Sequence, residues 1–526
     1  MDAEAFPRLI QALLQPDAYP HAAPAPLRHL ETHSAHVLLA GDFAYKLKKP
    51  VNLGFLDFST LERRRRYCEE EVRLNRRLAP ELYLGVVPIT GTPDRPRVGG
   101  TGAVLEYAVQ MHRFAQEGLL DRCALPPELV ERIAARIAAF HAQIPHADPA
   151  GPFGTPAAVL APMLENLTQV RALIGAGEAT EQLDRLTRWT LERWRVLTPV
   201  IEQRLAQGRV RECHGDLHRG NIAQVDGEPL FFDALEFNPD LRWIDTASEL
   251  AFLIMDLDGA GESVLARRLL NQYLALGGDY GALAVLDLYL VYRAMVRAKV
   301  LAIRAGQADL PAGQAAAQRA QCRRYLDLAT AYTRRRRPRL LLVCGLSGSG
   351  KSVLACDLRE ALPAIHLRSD VERKRLFGLD AQARSGIGCG TGIYFAQATE
   401  WTYQRLHELA SAILASGYDV LVDATFLTRA RRTVFRDLAR RQGAGFAVLA
   451  LLAPMAVLRA RVASRLAAGL DASDASVAVL EQQAGACERL SWSERRTGLT
   501  INSTRQPPLE QILGRIAALT GVPIGE

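Results

Sequence analysis

His214-Gly215-Asp216-Leu217-His218-Arg219-Gly220-Asn221, with Phe231-Phe232-Asp233 shortly after it, sets two carboxylates and a carboxamide around a short hairpin. Asp216 and Asn221 are five residues apart, and Asp233 comes twelve later. Ile222–Val225 and Leu230–Phe232 read as strands flanking the turn Asp226-Gly227-Glu228-Pro229. Phosphoryl transfer needs a carboxylate beside the attacking hydroxyl and oxygen ligands for the magnesium that bridges the nucleotide phosphates. On that chemistry Asp216 accepts or orients a substrate hydroxyl, and Asn221 and Asp233 hold magnesium. A lysine on an upstream strand should grip the phosphates, fixed by a glutamate on a helix. Phe43-Ala44-Tyr45-Lys46 supplies the strand, with Lys46 the first choice and Lys48, on the same strand face, the second. The glutamate is Glu70 or Glu71, on the helix expected after that hairpin.

This segment resembles the catalytic loop of the aminoglycoside phosphotransferase and choline kinase-like group, distant relatives of protein kinases. The resemblance covers roughly residues 30–330. It implies a small N-lobe sheet, a hinge near Leu105–Met111, a helical C-lobe, and a structural Asp245 that braces the catalytic loop. No G-x-G-x-x-G loop precedes the hairpin, so the turn near Thr32–His36 is expected to cover the phosphates.

Further along, Gly345-Leu346-Ser347-Gly348-Ser349-Gly350-Lys351-Ser352 satisfies G-x-x-x-x-G-K-S between an apolar strand and a helix. The glycines let backbone N–H groups surround phosphate oxygens at a positive helix N-terminus. Lys351 is expected to reach the β and γ phosphates, and Ser352 to bind magnesium. His366-Leu367-Arg368-Ser369-Asp370, with Arg373 beyond it, resembles the P-loop kinases grouped with polynucleotide kinase, zeta-type toxins and chloramphenicol phosphotransferase. That likeness covers about residues 338–520. It implies that Asp370 contacts the acceptor hydroxyl and that Arg373 helps place the substrate; a helix N-cap is the other reading of Asp370. Asp423, at a strand end, is similar to the acidic group that supports magnesium or substrate, with a solvated turn as the alternative. Arg461 and Arg465, ahead of Asp471–Asp474, resemble the lid arginines that neutralise the transferred phosphoryl group; a solvated basic helix face is the alternative. Ile501–Thr504 is a candidate adenine-side loop.

The expected fold class is therefore an α+β, protein kinase-like, two-lobed N-terminal domain (1–333) followed by an α/β P-loop NTPase domain with a parallel sheet (338–526). The run Arg334–Arg337 and Pro338 mark the boundary. A length of 526 residues suits about two to four domains. The formal charge of +7 suits anionic substrates such as nucleotides without demanding nucleic acid. Eight cysteines without a CxxC pair read as reduced thiols of a cytoplasmic protein. Met1-Asp2-Ala3-Glu4 has no basic signal-peptide start, and no apolar run is long enough to span a membrane.

The pairing resembles a bacterial bifunctional family with an aminoglycoside phosphotransferase-like module and a P-loop kinase module. It implies ATP and Mg2+ at both sites and small-molecule hydroxyl acceptors. An aminoglycoside is not the expected acceptor, because such polycations want an acidic pocket and the helical half has no concentrated acidic cluster. A regulatory ATP-binding switch is one alternative. A nucleic-acid end kinase is another, although its aromatic-basic interleaving is missing around the arginine runs.

Overall fold

Ala35–Ala40 and Phe43–Lys48, two largely buried strands on either side of Gly41-Asp42, open the architecture. In the computed structural model, residues 5–524 are described apart from 33, 53–55, 175–176, 308–309, 381–394 and 469–474. The N-terminal elements are α1 (Ala5–Ala12), β1 (Arg28–Glu31), β2 (Ala35–Ala40), β3 (Phe43–Lys48), α2 (Leu61–Asn75), β4 (Tyr83–Thr92), β5 (Arg95–Val98) and β6 (Val104–His112). Next come α3 (Pro127–Gln143), α4 (Pro156–Ile174), α5 (Glu178–Ala206), β7 (Val210–Glu212), β8 (Ile222–Val225), β9 (Glu228–Phe231), β10 (Trp243–Asp245) and α6 (Thr246–Gly259). Then follow α7 (Ser263–Gly277), α8 (Leu283–Ala305), α9 (Ala312–Tyr332), β11 (Arg339–Cys344), α10 (Lys351–Ala361), β12 (Ala364–Arg368), α11 (Ser369–Leu376) and α12 (Ala396–Ala415). The last are β13 (Asp419–Asp423), α13 (Arg429–Arg441), β14 (Gly445–Leu452), α14 (Met455–Ala468), α15 (Val477–Ala486), β15 (Gly498–Asn502) and α16 (Leu509–Thr520).

The chain divides into two compact units. The first comprises Met1–Arg132, Gln143–Pro162 and Ile201–Asp256. Its six-stranded antiparallel sheet runs β1-β2-β3-β6-β4-β5. Phe6, Leu9 and Ile10 of α1 pack with Leu38, Tyr45, Leu47 and Ile89. Cys68 and Val72 of α2 pack with Tyr83 and Val109. Thr60 caps α2: Arg63 N donates to Thr60 Oγ1 at 3.2 Å, and just before it Ser59 N donates to Asp57 Oδ1 at 3.0 Å. The span Leu105–Met111, expected at a hinge, lies inside β6. Two short antiparallel pairs, β7 with β10 and β8 with β9, flank the segment 213–221.

The second unit comprises Ile133–Ala142, Met163–Val200 and Leu257–Glu526. Its five-stranded sheet has the order β12-β13-β11-β14-β15, and every pairing is parallel. Leu341, Val343, Leu354, Leu358, Leu421 and Leu449 form its core with Ile512 and Ile516 of α16. Continuous apolar runs are what a parallel sheet covered on both faces requires. Helices α7, α8 and α9 group with this unit, although they precede Arg334–Pro338. The described cysteines are free thiols. Among the described residues no helix is long and apolar enough to cross a membrane.

Candidate active sites

Two residues apart on β3, Lys46 and Lys48 project from the same face and meet one carboxylate. Lys46 Nζ donates to Glu71 Oε1 at 2.8 Å, and Lys48 Nζ donates to Glu71 Oε2 at 2.7 Å. Lys46 also pairs with Asp233, and Lys48 with Glu236. Between the two glutamates left open by the sequence, Glu71 is the one at the lysines. Glu70 turns to Arg73 at 2.7 Å and Arg242 at 2.8 Å. Burial opposes the charge on Lys46, but Asp233, Glu71 and Glu236 outweigh it and hold its pKa well above the ordinary value. Burial likewise raises Glu236, against the pull of Lys48.

Asp233 reaches this pair through Lys46, and Asn221 and Asp216 contact each other on the neighbouring loop. Asp233 stands at φ 63°, in the left-handed region that Asp and Asn tolerate. Tyr83 Oη accepts from Asp233 N at 3.1 Å, and Asn75 Oδ1 accepts from Ala234 N at 2.8 Å. Asn221 Nδ2 donates to both Asp216 O and Asp216 Oδ2 at 2.9 Å, so its carbonyl oxygen is the end that could hold a metal. His214 Nε2 donates to Phe232 O at 2.9 Å, and burial holds its pKa below the ordinary value. Asp245 pairs with Arg204 at 2.7 Å and caps Ala247 N at 2.8 Å. The groups that hold the loop backbone are Glu249, which accepts from His214 N at 2.8 Å, and Asp256, which accepts from Arg219 N at 3.0 Å. Sequence reading missed Asn75, Tyr83, Glu236 and Glu249. Asn75 lies four residues after Glu71 on one helix face, and Glu249 is a lone carboxylate in an apolar helix; both patterns are visible signals.

In the second unit the glycine loop joins β11 to α10. Gly345, Gly348 and Gly350 have φ of 148°, 79° and 88°. A Cβ at Gly348 would meet Leu458 O at 2.9 Å, so only glycine keeps this turn tight. Lys351 Nζ donates to Leu346 O at 2.9 Å, and burial pulls its pKa below the ordinary value. Ser352 Oγ donates to Asp423 Oδ2 at 2.6 Å. His366 Nε2 stands 3.4 Å from the same oxygen. Burial opposes the charge on Asp423, but the neighbouring His366 and Lys351 outweigh it and hold its pKa at about 2. Ser347 N donates to Gln483 Oε1 at 2.9 Å, and Ser349 is buried.

Arg461 lies against this loop, donating to Gly348 O at 3.4 Å and to Ser503 Oγ at 3.0 Å. The Ile501–Thr504 stretch is thereby brought to the glycine loop. Arg465 donates to Ala475 O at 3.3 Å and is close enough to Lys351 to oppose its charge. Asp370 falls inside the first turn of α11, whose cap position belongs to Arg368, so Asp370 is not the N-cap. Arg373 follows on the same helix. The acidic stretch Asp471–Asp474 lies outside the described residues. So does part of the Thr32–His36 turn.

Two family models match separate stretches of the chain. The model of the phosphotransferase enzyme family matches residues 55–286, and that of an AAA domain matches residues 340–490. A protein of Mycobacterium tuberculosis, described as uncharacterized, is 31% identical over 492 residues, which is 92% of this chain and 93% of that protein. The chain belongs to the same family. The chain joins a phosphotransferase domain to a P-loop kinase domain, and it is a kinase. The chain is also similar to an amicoumacin kinase in complex with AMP-PNP and Ca2+, at 16% identity and a TM-score of 0.39, over 62% of this chain and 96% of that one. A sugar kinase from Janibacter is similar at 22% identity and a TM-score of 0.27, over 35% of this chain and 95% of that one.

Kinases of these families use ATP, and the residues present fit Mg·ATP at both sites. Ser352 and Asp423 are already joined through oxygen atoms, and hard oxygen ligands are what magnesium takes. Asn221 and Asp233 offer the same ligand chemistry in the first unit. Lys46, Lys351 and the glycine-loop N–H groups supply the positive ends that phosphate oxygens need.

Proposed function

We propose that this family member is a bifunctional ATP-dependent phosphotransferase, each module moving the γ-phosphoryl group of ATP to a hydroxyl of a small-molecule acceptor. The observation that carries the reading is a repeated one. Each module gathers a partly buried lysine and a carboxylate within reach of an oxygen-ligand set: Lys46, Glu71 and Asp233 in one, Lys351, Ser352 and Asp423 in the other.

In the first module Asp216 takes the proton of the acceptor hydroxyl as its oxygen bonds to phosphorus, and ADP leaves with the old bridging oxygen. Lys46, held by Glu71, pairs with the phosphates. Asn221 and Asp233 hold magnesium, which when bound neutralises phosphate charge. In the second module Lys351 and the glycine loop hold the phosphates, Ser352 and Asp423 hold magnesium, and Asp370 orients the acceptor hydroxyl. Arg373 places the acceptor, and Arg461 and Arg465 offset charge on the group in transfer. Fusion keeps the two activities together and raises the local concentration of any shared intermediate.

The test is a metabolite pool incubated with γ-labelled ATP and the wild type, Asp216→Ala or Lys351→Ala. Each substitution is expected to remove a different labelled product, the first by on the order of 10²–10⁴-fold. If both variants yield the wild-type pattern of products, the enzyme reading fails and a nucleotide-sensing role replaces it.

A further inference from the structure

β12 is the outermost strand of the parallel sheet, so one side of its backbone has no neighbouring strand. Unpaired N–H and C=O groups along such an edge need another partner. Asn271 of α7 supplies it. Asn271 Nδ2 donates to Ala364 O at 3.0 Å, and Asn271 Oδ1 accepts from His366 N at 2.7 Å. Its side-chain amide thus does for the edge what a paired backbone amide would do. Asn271 is only 3% exposed, so these bonds are sheltered from water.

The same stretch of chain grips the two elements on either side of β12. Arg267 Nε and Nη2 donate to Glu360 O at 2.9 and 2.6 Å, in the last turn of α10. That satisfies an orphan carbonyl and sets a cation at the negative end of the helix that starts with Lys351. Beyond β12, Tyr280 Oη donates to Glu372 Oε1 of α11 at 3.2 Å, and Arg375 of α11 donates to Ala275 O and to Glu372. Gly278, at φ 70°, makes room: a Cβ there would lie 2.7 Å from Arg375 Nε. α11 is the helix that carries Asp370 and Arg373.

We propose that Asn271 and Tyr280, which lie inside the stretch matched by the phosphotransferase family, are positioning residues for the P-loop reaction, holding β12 and the acceptor helix α11 in place beside the glycine loop. This rests on reading Asp370 and Arg373 as the acceptor side. Neither residue belongs to the machinery around Asp216.

The test uses full-length Asn271→Leu and the milder Tyr280→Phe, which keeps the ring. Amide hydrogen exchange is expected to quicken by about tenfold or more across residues 364–376, with β14 and β3 unchanged. With γ-labelled ATP and a metabolite pool, the maximal rate of the Lys351-dependent product is expected to drop about tenfold. The ATP concentration at half-maximal rate and the Asp216-dependent product should both stay as in wild type. Unchanged exchange across 364–376, or loosening spread evenly over the protein, overturns the anchoring. Quickened exchange with an undiminished Lys351-dependent rate overturns the positioning role. A wild type with no Lys351-dependent product sinks the reading of the site instead, and the exchange result separates the two failures.

Discussion

Glu71 gives one oxygen to each of two ammonium groups, so the charges of the first site are interdependent. Lys48→Met leaves Glu71 and Glu236 facing each other in a buried site with one cation fewer. Breaking a buried pair from one side costs about 3–5 kcal/mol. Urea unfolding should register that loss, and adding Glu236→Gln should recover part of it; simply additive losses would count against the shared arrangement. Asp233 poses a different question, because its backbone is left-handed and its side chain is a candidate metal ligand. Asn tolerates that backbone. Asp233→Asn should therefore melt close to wild type while its labelled product falls sharply; equal loss of both would make the residue a fold determinant only. Much at this scale was legible. Asp216, Asn221, Asp233, Lys46 and Lys351 stand in motifs whose spacing reflects phosphate chemistry. Glu236 and Tyr83 were not, since their parts depend on which strand lies beside which, and residue spacing alone does not carry that.

Elements carry these groups to their places, and their ends can be tested. Thr60 caps the helix that bears Glu71 and Asn75, so Thr60→Ala should cost about 1 kcal/mol in urea unfolding. On α13, Arg432 Nε donates to Glu494 Oε1 at 2.7 Å, which ties that helix to the turn before β15. Burial raises the Glu494 carboxyl, but Arg432 and Ser491 outweigh it and hold the pKa at about 2, against an ordinary 4.5. A carboxyl depressed by folding adds stability that is present above its ordinary value and lost as pH falls through the folded one. Glu494→Gln should therefore be less stable than wild type at neutral pH, with the gap closing toward pH 2; a gap that stays constant with pH would contradict the assignment. The edge strands β1 and β5 escaped the sequence reading for a physical reason. Arg28–Glu31 is largely exposed, and β5 is Arg95-Pro96-Arg97-Val98, the polar, proline-bearing composition that edges favour and that masks them as strands. By contrast the apolar run of β11, Leu340–Cys344, is plain in the sequence.

At the scale of the molecule, composition placed a boundary at Arg334–Pro338, yet compactness sets α7, α8 and α9 with the P-loop sheet. Side-chain bonds such as those of Asn271 leave no mark in charge or hydropathy, so composition shows the arginine run and not these ties. A chain starting at residue 338 lacks Arg267, Asn271 and Tyr280. It should melt below one starting at residue 257, by about 2–4 °C for each kcal/mol lost at this size; equal midpoints would mean that the helices are passengers. One consequence reaches into inheritance. If Asn271 completes the neighbouring sheet, a crossover at the arginine run hands each descendant gene a damaged product. The viable breakpoints then lie further upstream, and the two modules travel together through duplication and transfer.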